Sequence, residues 1–127
     1  MATILIIEDN PQLRNMIQEM LGEEEHTVLT AQEGQEGLAL FKAHNIDLVV
    51  TDILMPGKEG LETIQELRSK HPSAKIIAYS GGQNERYPGV LNIAKKLGAT
   101  LTLTKPFSHG DLLQAVRTTL GESVTSS

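Results

Sequence analysis

Apolar and polar positions along this chain follow two alternating periods. Short runs rich in Ile, Val, Leu and Thr are separated by longer stretches in which apolar residues recur every three or four positions. Ile4-Leu5-Ile6-Ile7 opens the series as a first strand. Asn10-Pro11 then reads as an N-cap followed by proline at the first helical position, and Leu13, Met16, Ile17, Met20 and Leu21 follow at helical spacing as a one-sided amphipathic helix. A short strand over 27–31 leads to a second helix carrying Leu38 and Phe41 on one face. The run from Ile46 to Thr51, closed by Asp52, is apolar almost throughout, which suits a central parallel strand covered on both faces.

The second half repeats the scheme. Leu61, Ile64 and Leu67 predict a helix over 60–70, and Pro72-Ser73 breaks before a strand over 74–79, closed by Ser80. Val90, Ile93, Ala94 and Leu97 predict a fourth helix stopped by Gly98. From Ala99 to Thr104, leucines 101 and 103 alternate with threonines, the pattern of a half-exposed edge strand, and Leu112, Leu113, Val116 and Leu120 form the closing helix. Five strand-helix units result. They predict an α/β fold with a single doubly wound, five-stranded parallel sheet in the flavodoxin-like order 2-1-3-4-5 and five helices. One domain is expected over residues 1–121, with a polar tail over 122–127.

Composition narrows the function classes. A chain of 127 residues with 39% hydrophobic content supports one core, and no apolar run approaches the roughly 20 residues that span a bilayer, so a cytoplasmic location is the default expectation. The absence of cysteine excludes disulfides, thiolate metal sites and cysteine nucleophiles. A net charge of −5 with scattered basic residues argues against direct nucleic-acid binding, and the lack of tryptophan removes stacking platforms.

The candidate chemistry lies at the strand ends. Glu8-Asp9 follow the first strand, Asp52 closes the third, and Lys105-Pro106 closes the fifth, so a parallel sheet brings all of them to one edge, where open α/β folds place ligands. Carboxylates so placed repel: at about 4 Å and an effective dielectric near 20, a pair costs roughly 4 kcal/mol. A hard divalent cation such as Mg²⁺ suits this all-oxygen donor set and removes the penalty. A coordination position open beside a carboxylate nucleophile is what phosphoryl transfer to aspartate requires. The plain alternatives stay open here: solvated turn acids, a turn serine at Ser80 before Gly81-Gly82, and a Lys105–Asp52 salt bridge that differs from the phosphoryl reading in its indifference to Mg²⁺. Met55-Pro56-Gly57 reads as a turn that lifts a backbone carbonyl toward a metal, and a cis peptide before Pro106 would aim the ammonium inward.

With Glu8-Asp9, Thr51-Asp52-Ile53-Leu54-Met55-Pro56-Gly57, Ser80 and Lys105-Pro106-Phe107 at these spacings, the whole chain resembles a response-regulator receiver domain of two-component signalling. The resemblance implies Asp52 as phosphoacceptor. It implies Mg²⁺ held by Asp9, Asp52 and the Leu54 backbone carbonyl, with Glu8 binding through water, and Ser80 and Lys105 contacting the phosphoryl group. It further implies a histidine kinase or histidine phosphotransfer protein as phosphate source, and a downstream target or output domain met through the fourth helix, fifth strand and fifth helix. Dimerisation on phosphorylation belongs to the same repertoire. The domain would catalyse its own phosphorylation and dephosphorylation, and is not otherwise an enzyme.

The family usually carries tyrosine or phenylalanine three residues before the motif lysine, where this chain has Thr102. The expectation is a weakened switch, or a response routed through Ser80-Gly81-Gly82 and the region of Tyr87. A phosphohydrolase resembling the haloacid-dehalogenase group would need a second acid two residues after the nucleophile, where Leu54 stands. A flavin-phosphate site is disfavoured because paired carboxylates repel phosphate. A degenerate receiver serving as a static docking surface remains the third reading, set against an intact motif. Histidines 26, 44, 71 and 109 read as surface residues, and Glu23-Glu24-Glu25 as a solvated helix end.

Overall fold

The computed structural model describes residues 2–53, 60–80, 89–105 and 107–121, leaving the Val90 side chain aside. Five strands, β1 (Thr3–Ile7), β2 (Thr27–Ala31), β3 (Leu48–Asp52), β4 (Ile76–Ser80) and β5 (Leu101–Thr104), alternate with helices α1 (Pro11–Glu23), α2 (Gly34–Ala43), α3 (Gly60–Lys70), α4 (Val90–Leu97) and α5 (His109–Leu120). All neighbouring strands pair in parallel, in the order β2-β1-β3-β4-β5, as the hydrophobic pattern predicts.

Strand alternation divides the core into two layers. Leu5, Ile7, Val49, Ile76 and Ala78 face α2, α3 and α4, where Ile64, Leu67 and Ala94 meet them. Ile4, Ile6, Val50, Ile77 and Tyr79 face α1 and α5, where Ile17, Leu21, Leu112 and Val116 close the other side. β3 and β4 are buried throughout, whereas β2 and β5 are half-exposed edges. The site end therefore stands on central strands whose positions are fixed on both faces.

Helix ends follow from local chemistry. Asn10 Oδ1 accepts the N–H groups of Gln12 and Leu13, and Pro11 takes the first helical position. Ser108 and Asp111 form a reciprocal capping box at α5. Gly98, at φ +136°, ends α4 in a conformation that side-chain-bearing residues rarely adopt.

Several details differ from the sequence expectation. β4 starts at Ile76 because the Ala74 N–H turns back to His71 O, and β5 starts at Leu101 because the Ala99 N–H is spent on Ala94 O. Met16 lies in the predicted apolar stripe of α1 yet is 48% exposed, while Ile17, Met20 and Leu21, with half-buried Leu13, make the contact with the core. Glu24 is not simply solvated: its Oε1 accepts Arg117 Nη2 at 2.8 Å, tying the end of α1 to α5.

Candidate functional site

The ends of β1 and β3 bring the predicted acids together. One position beyond the Ile7–Thr51 pair, Glu8 and Asp52 leave the sheet side by side on the face covered by α1 and α5. One ligand oxygen from each of Glu8, Asp9 and Asp52 lies within 4.8 Å of the others. Glu8 and Asp52 are almost fully buried, at 1% and 5% exposure, while Asp9 is exposed. Two buried carboxylates and a third at the rim make an open-sided, all-oxygen cluster. No histidine joins it among the described residues: His44 and His109 are exposed, His26 accepts the Ala2 N–H, and His71 packs against Phe41.

Backbone geometry holds this cluster in place. Glu8 Oε2 accepts the Asn10 N–H at 3.0 Å, and Arg14, half-buried on α1, donates through Nη1 to the carbonyls of Glu8 at 2.9 Å and Asp9 at 3.4 Å. Gly60, the first residue of α3, packs against the backbone of Ile53 and Asp52 so closely that a Cβ there would overlap the Ile53 Cα and the Asp52 carbonyl oxygen. Only glycine allows α3 to begin against the strand end that presents Asp52.

Burial raises the Glu8 carboxyl above its ordinary range. The Tyr79 hydroxyl and the Asn10 N–H pull it back in part, the Asp52 charge adds to the rise, and Lys105 opposes it. The metal-free cluster therefore carries electrostatic tension that a divalent cation would relieve. Oxygen donors, close spacing and an open side fit Mg²⁺.

On the other flank, Lys105 Nζ stands 3.7 Å from Asp52 Oδ2, within ion-pair range but too long for a hydrogen bond. The salt-bridge contact anticipated from sequence thus exists in loose form, with the lysine side chain 27% exposed. Ser80 is buried at the end of β4, and its carbonyl oxygen accepts the Lys105 N–H at 2.8 Å, so backbone pairing binds these two positions together. Leu54, the turn at 55–57, Gly81-Gly82, Tyr87, Pro106 and the tail over 122–127 lie outside the described residues. Thr102 pairs with Ala78 in β5 and is half-buried.

Tyr79 escaped the sequence reading. It sits opposite Asp52 in the β3–β4 ladder and is fully buried, and its hydroxyl donates to Glu8 Oε1. Its ring also lies 5.2 Å from Lys105 Nζ and meets Phe107 edge-on at 5.5 Å between centroids. Desolvation, then the Glu8 charge, pushes its phenol well above the ordinary tyrosine range, so it stays a hydrogen-bond donor. The available signal was its place in the strand: two after Ile77 on the α1/α5 face, it shares the side of the sheet from which Asp52 projects.

A doubly wound sheet with a trio of carboxylates and a lysine at the C-terminal strand edge defines an α/β phosphoacceptor-type architecture. The chain belongs to the response regulator receiver domain family, whose family model matches residues 4–117. It is 34% identical over 124 residues to the transcriptional regulatory protein CpxR of Klebsiella pneumoniae, covering 97% of this chain and 51% of that one. It is 32% identical to the chemotaxis protein CheY of Halobacterium salinarum, covering 89% of this chain and 92% of the relative. The solved structure of the response regulator TrrA from Thermotoga maritima, in complex with Mg²⁺-BeF, matches with a TM-score of 0.82 and 35% identity over 94% of this chain and 99% of that one. The chain thus spans about half of the CpxR relative and nearly all of the CheY relative. The expected family, fold and two-component receiver role hold. No helix among the described residues is long and apolar enough to cross a membrane.

Proposed function

We propose that this receiver domain, one unit over residues 1–121, is switched by Mg²⁺-dependent phosphorylation of Asp52. The observation that carries this reading is the cluster itself: three carboxylates within 4.8 Å, with an ammonium 3.7 Å from the central one. An Asp52 carboxylate oxygen attacks the phosphorus of the donor. One P–O bond forms as the bond to the leaving group breaks, giving an aspartyl phosphate. Asp9 and Asp52 would hold Mg²⁺ together with the Leu54 backbone carbonyl, and Glu8 would hold it through water. The ion, when bound, neutralises charge on the transferring phosphoryl oxygens.

The chain's own groups supply the rest. Lys105, already facing Asp52, pairs with a phosphoryl oxygen, and the Ser80 hydroxyl donates a hydrogen bond to the same group. Hydrolysis returns the carboxylate, so the catalysis is confined to this self-directed cycle. The phosphate source is a histidine kinase or histidine phosphotransfer protein in the cytoplasm, and the output is a protein contact across α4, β5 and α5, with dimerisation as one form it takes. The half-exposed β5, and Ile93 on α4 at 47% exposure, support that face as a contact surface. The net charge of −5 supports a protein rather than a nucleic acid as its direct partner.

Intact mass after incubation with a small-molecule phosphodonor, with and without Mg²⁺, tests the reading in wild type and Asp52→Asn. A Mg²⁺-dependent, base-labile phosphate adduct that is absent from the variant is the expected result. No adduct, together with no Mg²⁺ binding by titration, would leave a static docking module.

A further inference from the structure

Receivers with an aromatic residue three positions before the motif lysine place it on β5, at a position whose counterpart here, Thr102, shares the sheet face of Ala78 and hence of α4. Among the described residues, the aromatic groups at the site lie on the opposite face. Tyr79 and Phe107 both pack in the α1/α5 layer. Tyr79 makes three contacts there: its hydroxyl donates to Glu8 Oε1, its ring lies 5.2 Å from the Lys105 ammonium, and its edge meets Phe107, two residues before α5 begins. Glu8 follows β1 on one side of Asp52 and Lys105 follows β5 on the other, and Tyr79 is paired with Asp52 in the β3–β4 ladder between them.

The geometry points to Tyr79 as a positioning residue that holds Glu8 for the metal through its hydroxyl and supports Lys105 against Asp52 through its ring. This rests on the proposed metal role of Glu8. A carboxylate with one oxygen on the Asn10 N–H and the other on a buried phenol has its orientation fixed before any ion arrives. Such outer partners commonly govern metal affinity as strongly as some ligands do. The ring contributes separately, because an ammonium near an aromatic face is attracted to it whether or not the ring carries a hydroxyl. The two contributions can be separated by substitution.

Tyr79→Phe removes the hydroxyl and keeps the ring; Tyr79→Leu removes both. Calorimetric titration of the full chain with MgCl₂ is expected to show affinity weakened about tenfold in Tyr79→Phe. At saturating Mg²⁺ its phosphorylation rate stays near that of wild type, while Tyr79→Leu loses rate even at saturation. A purely structural role would lower the melting temperature of Tyr79→Phe without moving its Mg²⁺ affinity, and that result would overturn the proposal. The chain has no tryptophan and two tyrosines, so in a Tyr87→Phe background the near-ultraviolet spectrum reports Tyr79 alone. Its phenol band is expected to shift on adding MgCl₂. A spectrum unchanged through saturation overturns the inference without relying on any Tyr79 variant to fold. If wild type takes up Mg²⁺ with these signatures but gains no phosphate, the reading of Asp52 fails while the assignment of Tyr79 stands.

Discussion

The two ends of the sheet treat acidic residues in opposite ways. At the N-terminal edge Asp47 is exposed: its Oδ2 accepts the Thr3 N–H at 2.8 Å, and its own N–H donates to Thr3 O at 2.8 Å, so it fastens β1 to the lead-in of β3. A groove of about 710 Å³ opens beside it, lined in part by Lys70, His71 and Lys75. At the C-terminal edge, Glu8 and Asp52 are buried together with Asp9 at the rim. Asp47 at the first edge is solvated and has a neutral partner; Glu8 and Asp52 at the second are desolvated and lie beside one another. The first arrangement stabilises the chain. The second costs stability and is useful only when a cation or a phosphoryl chemistry requires it.

The sharpest way to break this contrast is to remove the central acid. Asp52→Asn is expected to abolish the phosphate adduct altogether while leaving the far-ultraviolet circular dichroism unchanged. Adduct at the wild-type level in the variant would place the acceptor elsewhere and reduce the acidic cluster to a surface feature.

Gly60→Ala tests whether the site end is as tightly built as its burial implies. The added methyl meets backbone, which cannot rotate away, so the expected cost is about 3 kcal/mol, seen as a lower denaturant midpoint. Gly37→Ala is the internal comparison. Its methyl would overlap the flexible end of the Ile7 side chain, and a cost of about 1 kcal/mol is expected. Equal costs at the two positions would mean that α3 can slide away from Asp52, contrary to a rigid site.

The electrostatic tension itself is measurable through pH and metal. Because the Glu8 carboxyl is raised in the folded chain, the fold binds that proton more tightly than the unfolded chain does. Its contribution is fully present below the ordinary carboxyl range and is lost as pH rises through the raised value. Metal-free protein in chelator should therefore lose stability across that window, by thermal melts in a pH series. Mg²⁺ at a hundred times its dissociation constant should add about 2.7 kcal/mol and flatten the loss. A metal-free curve that rises through the same window would reverse the sign assigned to Glu8.

Much of this was legible from the chain. The strands and helices followed from period, because β1, β3 and β4 are buried almost throughout and are mainly apolar while half-exposed β5 alternates, and the strand order followed from the crossover rule. The gathering of Glu8, Asp9, Asp52 and Lys105 followed from parallel pairing, which carries strand ends to one edge. What stayed hidden depends on side-chain reach. Tyr79 read as one more apolar strand residue, since periodicity reports which face a ring occupies and not where its hydroxyl ends. Arg14 was invisible for a similar reason: one long side chain spans from α1 back to the Glu8 and Asp9 carbonyls. Glu24 looked solvated because its partner, Arg117, is 93 positions away on another helix.

The smallest expected effect separates the two ends most cleanly. Asp47→Ala deletes an exposed acceptor whose donor, the Thr3 N–H, can turn to water, so the loss should be about 1 kcal/mol or less. A strand of five residues carries the chain roughly 17 Å from that edge to the acidic cluster, beyond the screening length of about 10 Å at 0.1 M salt. Removing the Asp47 charge should then leave Mg²⁺ affinity and phosphorylation rate unchanged, by calorimetry and intact mass. A several-fold change in either would show that the central strands transmit strain along their length. The sheet would then be one coupled body, not a stabilising edge joined to a reactive one.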